Sequence, residues 1–101
     1  EREPNLIVDG EVQADTAVNA DRAEELFQFS PLKGKANVLI FPNLAAGNIS
    51  YKLLSQLGDA TAIGPLIVGI NKPVNALALG SDVKDIVNIT ALTVTQAIKR
   101  G

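Results

Sequence analysis

NVLIFPNLAAGNISYKLL, residues 37–54, sets the fold class, because a short apolar run passes through Pro42-Asn43 into apolar positions at helical spacing. NVLIF, 37–41, is continuous and contains Val and Ile, the pattern of a strand buried on both faces. A helix is then expected from about Asn43 to Leu57, with Gly58 where a left-handed C-terminal cap belongs. Two residues suit that helix poorly. Gly costs roughly 1 kcal/mol against Ala inside a helix, and Asn competes for the backbone, yet Gly47 and Asn48 sit one turn in.

Upstream, LIV at 6–8 reads as a short buried strand ended by Asp9-Gly10, and VQADTAV at 12–18 as a strand or extended segment. NADRAEELFQF, 19–29, is expected to be a short helix with acidic residues in its first turns, where the dipole favours them. SPLKGKAN, 30–37, is loop. Downstream, AIGPLIVGI at 62–70 is a further buried strand interrupted by Gly64-Pro65, and NKPVNALAL at 71–79 is a turn leading into an extended segment. SDVKDIVNITALTVTQAIKR, 81–100, is the last helix, with Ser81 as N-cap, Asp82 in the first turn, and Lys99 and Arg100 at the C-terminal end. Val83, Ile86, Val87, Ala91, Val94, Ala97 and Ile98 mark one face of it, while Ile89 and Leu92 are apolar on others. A helix apolar nearly all round is expected to be buried in a larger body.

Buried strands alternating with helices imply an α/β layered domain built on a mostly parallel sheet. About three such strands, with too few helices to cover both faces, amount to less than a full domain. The chain has no Met and opens Glu-Arg-Glu-Pro, so it reads as a piece of a longer protein.

Composition narrows the chemistry. Apolar residues make up 47% and charged residues 20% of the 101, a globular balance. The core must be aliphatic, with three Phe, one Tyr and no Trp. Net charge is −2 and no basic run appears, which argues against a nucleic-acid partner. No apolar stretch exceeds strand length, which argues against a membrane span. With no Cys and no His, the chain lacks a thiol nucleophile, a thiolate metal site and the commonest general base. A cytoplasmic origin is compatible with this composition.

Four places could hold chemistry. On the central helix, Asn48 and Lys52 stack at i, i+4 with Tyr51 beside them, either a solvated face or a ligand face that Gly47 opens to close approach. The helix start at Asn43 presents free backbone N–H groups and a positive dipole end, an anion site or an ordinary helix start. Gly64-Pro65 is either a kink or part of a site. Asp85, in the first turns of the last helix, could act as a base or merely complement the dipole.

KANVLIFPNLAAGNISYKLL (35–54), AIGPLIVGINKPVNAL (62–77) and VKDIVNITALTV (83–94) together resemble the C-terminal part of the phosphate acetyl/butyryl transferase family, over essentially the whole chain. That resemblance implies a two-domain α/β enzyme related to isocitrate dehydrogenases, usually a homodimer, moving an acetyl group between phosphate and coenzyme A without a metal. Residues 1–101 would be about the last third of such a domain and supply part of its C-terminal lobe. By the same resemblance, Asn43, Gly47, Asn48, Tyr51, Lys52, Gly64 and Pro65 would line the acetyl-CoA cleft. Active transferases carry Ser-Arg-Gly after KPV, with an Asp six residues beyond the Arg that is thought to deprotonate the coenzyme A thiol. Here those positions are Ala78-Leu79-Gly80 and Asp85. An isobutyl group cannot replace bidentate, charged recognition of a phosphoryl oxygen.

The altered triplet and the tail VNITALTVTQA, 87–97, are similar to the transferase-like C-terminal domain of bacterial NADP-dependent malic enzymes. That similarity implies a regulatory domain that binds acetyl-CoA. Malate oxidation, NADP and a divalent metal would belong to a separate domain of the parent chain. The alternative is an active phosphate acyltransferase.

Overall fold

The computed structural model describes residues 2–26 and 28–100. Phe27, inside the expected 19–29 helix, and the side chain of Arg100, expected at the C-terminal end of the last helix, lie outside the described residues. Among the described residues four helices form: α1, Ala14–Val18; α2, Ala20–Leu26; α3, Leu44–Leu57; and α4, Val83–Arg100. The chain divides into two units, Glu1–Leu44 and Ala45–Gly101.

In the first unit, the expected extended segment 12–18 is instead helical from Ala14. Its alternation is weak, and ADTAV offers two Ala and a first-turn Asp15, both of which favour a helix. Asn19 ends α1 in an extended conformation and caps α2, accepting the Arg22 N–H on its Oδ1 at 3.2 Å. Arg22 then reaches back to Asp15 Oδ2 at 3.1 Å. That pair is half exposed and belongs to the class worth about 0–1 kcal/mol. The Ala36 N–H donates to Ala17 O at 2.8 Å, tying the 30–43 segment to α1 beside the buried Thr16.

In the second unit α3 starts and stops within a residue of expectation, but Gly58 caps it differently. Gly58 keeps an ordinary helical bond to Leu54 O at 2.9 Å, and the left-handed residue is Asp59, φ 52°. Gly58 is required for space: a Cβ there would lie 2.9 Å from Leu54 O. Asp82, and not Ser81, is the N-cap of α4. Its carbonyl accepts the Ile86 N–H at 3.1 Å and its Oδ1 accepts the Asp85 N–H at 2.8 Å.

The apolar runs behave unlike the strands expected of them. Residues 6–8 and 37–41 adopt no regular structure, and Ile40 is 90% exposed. The 62–70 run contributes one antiparallel bridge, Leu66 to Asn75, and no ladder. A parallel strand exists only beside another, and among the described residues none of these runs meets a parallel partner.

The long helix packs within this chain by one stripe. Asn88, Ile89, Leu92, Thr93 and Gln96 form the stripe that packs inward, with Ile89 only 6% exposed. The aliphatic face from Val83 and Ile86 to Val94 and Ile98 is exposed in this chain, open to the larger body that an all-round apolar helix is expected to meet. Ile89 is the only buried hydrophobic residue among the described ones. Among its described residues, unit 2 therefore encloses little apolar core of its own.

Candidate functional site

The sequence-nominated positions lie on three pieces of the chain: Asn43 with the α3 face, the 62–79 loop, and the start of α4. Asn43 belongs to the first unit and the others to the second. Asn48, Tyr51 and Lys52 are all exposed on one side of α3, and Gly47 is half-buried beside them. Ser50 Oγ donates to Ala46 O at 2.7 Å, so the hydroxyl on the half-buried side is satisfied within the helix.

Gly64 and Pro65 are joined by a cis bond, with Gly64 at φ 152°. The bridge from Leu66 to Asn75 follows directly and folds the loop back on itself. Asn75 Oδ1 accepts the Ile67 N–H at 3.0 Å, and its Nδ2 donates to Thr93 Oγ1 at 2.8 Å and Gln96 Oε1 at 2.9 Å. One side chain thus joins the Gly64-Pro65 loop to α4.

The chain then runs into a tight turn, Ala78-Leu79-Gly80-Ser81. Ser81 closes it by donating both N–H, at 3.2 Å, and Oγ, at 2.7 Å, to Ala78 O. Gly80 sits at φ 87°, where the third residue of a type II turn requires a positive φ. Leu79 therefore occupies the corner of the turn, and its side chain is fully exposed. The resemblance expects a phosphate-binding cation here. Leu79 brings no charge and no donor.

Asp85 follows in α4 with a defined structural task. Its Oδ2 accepts the Asp82 N–H at 3.0 Å while its own N–H is held by Asp82 Oδ1 at 2.8 Å, a reciprocal capping box. One Asp85 oxygen is committed to the helix start, and a carboxylate has acceptor sites beyond that bond. Both earlier readings of Asp85, base and dipole partner, are chemically compatible with this geometry.

The geometry joins the Gly64-Pro65 loop, the Ala78–Ser81 turn and the Asp85 helix through Asn75. No side-chain hydrogen bond or ion pair among the described residues ties Asn48, Tyr51 or Lys52 to them. No three carboxylates converge on a point that could hold a metal ion among the described residues, and no helix is long and apolar enough to cross a membrane. Two residues take roles beyond those expected of them: Asp82, expected only in the first turn of α4, is its cap, and Asn75 was not singled out. Asp82 was legible in the Asp-x-x-Asp spacing of a capping box, whereas Asn75 finds its partners 18 and 21 residues away and leaves no local signal.

In the first unit, a hydrogen bond from the Ser30 side chain, and a second from the Gly10 backbone, hold the Asp9 carboxylate below its ordinary value of 3.8. Asp9 Oδ1 accepts the Gly10 N–H at 2.9 Å.

Among known families, the pattern of phosphate acetyl/butaryl transferases matches residues 1–94. A phosphate acetyltransferase from Thermoanaerobacterium thermosaccharolyticum is 50% identical over 94 residues, covering 93% of this chain and 29% of that relative. An NADP-dependent malic enzyme from Haemophilus influenzae is 43% identical over 97 residues, covering 96% of this chain and 13% of that relative. Among solved structures, a EutD phosphotransacetylase from Staphylococcus aureus superposes with a TM-score of 0.77 at 41% identity, over 92% of this chain and 27% of that one. The likeness supports an α/β fold. This chain spans about 29% of the length of the phosphate acetyltransferases it matches.

Proposed function

Because this chain belongs to the phosphate acetyl/butaryl transferase family, we propose that it is part of a transferase-like domain that binds acetyl-CoA without turning it over. Residues 1–101 form about the last third of that domain, in the C-terminal lobe of an isocitrate-dehydrogenase-like fold. There the runs 6–8, 37–41 and 62–70 find strand neighbours in a mostly parallel sheet. The outward aliphatic faces of α3 and α4 find their cover there too.

Leu79 carries this reading. Transfer of an acetyl group from phosphate develops charge on phosphoryl oxygens, and enzymes stabilise it with preplaced cations or donors. The turn at 78–81 presents a fully exposed isobutyl group instead, one turn from the Asp82–Asp85 cap. Binding is less demanding. Lys52 is a point charge for a coenzyme A phosphate, and Asn48 and Tyr51 add donors on the same helix face. Acetyl-CoA is thus the ligand of this domain, which also joins subunits into a homo-oligomer in the cytoplasm.

The parent chain is then an NADP-dependent malic enzyme. Its separate malic domain uses NADP and a divalent metal to decarboxylate malate to pyruvate, and acetyl-CoA bound here inhibits it. The malic-enzyme relative, in which this region is 13% of the length, supports a domain within a larger chain. The test is malate oxidation by the full-length protein across an acetyl-CoA titration: inhibition is expected, and unchanged rates at saturation would remove the regulatory claim.

A second reading has its own support. The phosphate acetyltransferase relatives reach 51% identity, and an Asp stands at position 85, where the resemblance expects the base. Under it the chain belongs to an active phosphate acetyltransferase in which another cation replaces the missing Arg.

A further inference from the structure

We infer that Asn75 is a positioning residue for the ligand-binding edge, setting the Gly64-Pro65 loop and the Asp85 helix in a fixed relation; this rests on the acetyl-CoA reading above. Its amide is saturated in three directions. Oδ1 takes the Ile67 N–H from the loop at 3.0 Å. The two Nδ2 protons go to Thr93 Oγ1 at 2.8 Å and Gln96 Oε1 at 2.9 Å, three residues apart on one face of α4. Thr93 has already spent its own proton on Ile89 O at 2.7 Å, so its oxygen faces Asn75 as an acceptor. A donor is therefore required at residue 75, and the direction of each bond is set.

The leverage follows from sequence distance. Ile67 lies two residues beyond Pro65, and the Ala78–Ser81 turn begins three residues after Asn75. Thr93 and Gln96 lie 8 and 11 residues along α4 from Asp85, or about 12 and 17 Å at the rise of a helix. Asn75 is thus remote from Asp85 yet grips the same rigid rod. With Ile89 the only buried hydrophobic residue described, few apolar contacts share the task of holding α4 to the loop.

The test measures coenzyme A affinity by calorimetry on the full-length protein, beside its melting temperature and the hydrogen exchange of the Ile67 amide. Asn75→Asp replaces two donors by an oxygen facing two acceptors, and Thr93→Val removes one acceptor but leaves the amide. Both are expected to weaken coenzyme A binding by about tenfold or more, as misplaced binding groups do, and to speed Ile67 exchange. Thr93→Ser keeps the oxygen and is expected to bind as wild type does. If Asn75→Asp fails to fold, the Thr93 pair makes the same comparison. Coenzyme A affinity within twofold of wild type in Thr93→Val, with Ile67 exchange accelerated, would reduce Asn75 to a structural tie and overturn the inference. Absence of coenzyme A binding in the wild type would instead remove the acetyl-CoA reading, and the inference with it.

Discussion

Asp82 and Asp85 hold each other's backbone N–H groups, Asp82 Oδ1 at 2.8 Å and Asp85 Oδ2 at 3.0 Å, and so fix the first turn of α4. The candidate base is therefore also a cap, and substitutions there mix two effects unless they are chosen to separate them. Asp85→Asn keeps an oxygen for the Asp82 N–H, and should lower stability by less than about 0.5 kcal/mol. Asp85→Ala loses that bond, and should cost about 1 kcal/mol. Thermal unfolding of both variants checks the difference. Equal losses would mean that the Asp85 side chain does not cap the helix.

Leu79 projects from the corner of its turn into solvent, so a larger charged side chain fits without repacking. Leu79→Arg should leave stability within about 0.5 kcal/mol of wild type. It should also tighten binding of inorganic phosphate, since a guanidinium supplies the charge and paired donors that the isobutyl group lacks. Calorimetric titration of phosphate into both proteins reads this. No change in affinity would place the phosphate subsite away from the turn.

Gly58 is constrained by space and Asp59 by backbone angle. Gly58→Ala places a methyl group 2.9 Å from the Leu54 carbonyl and should cost about 1–2 kcal/mol. Asp59→Gly relieves a left-handed φ of 52° and should be neutral or stabilising by up to about 1 kcal/mol. The melting temperature should fall in Gly58→Ala and hold or rise in Asp59→Gly; parallel losses would contradict this account of the α3 terminus.

Asp9 ought to titrate below its ordinary value of 3.8 because the Ser30 side chain and Gly10 N–H favour its ionised form. A lowered folded value means that the ionised group contributes stability above the ordinary value and loses it as pH falls through the lower one. Ser30→Ala should raise the midpoint, as followed by NMR of the Asp9 carboxyl. An unshifted midpoint in the wild type would show that these bonds do not form in solution.

The two long helices were legible in the sequence because their signals are local. Pro42-Asn43 and Gly58 bracket α3, and the Ser81-Asp82 pair announces α4, so the boundaries fall within two residues of those read from pattern. The apolar runs were not legible in the same way, because a strand is defined by a neighbour and sequence pattern records only the wish for one. Which part of α4 packs within this chain was not legible, because the helix is apolar nearly all round. Asn75, 18 residues from Thr93, holds the Thr93 and Gln96 side through bonds that no local pattern records. At the site, the turn and the capping box follow from Gly80 and the Asp-x-x-Asp spacing. The roles of Asn48, Tyr51 and Lys52 rest on resemblance, since exposure on a helix face is common to ligand sites and ordinary surfaces.

The central claim is a domain that binds acetyl-CoA and does not perform the transfer. The most direct measurement supplies acetyl phosphate and coenzyme A to the purified full-length protein and follows thioester formation, with coenzyme A binding measured on the same sample. Binding without thioester is the expected result. Steady thioester formation that disappears in Asp85→Asn would contradict the claim and establish the active-transferase reading in its place.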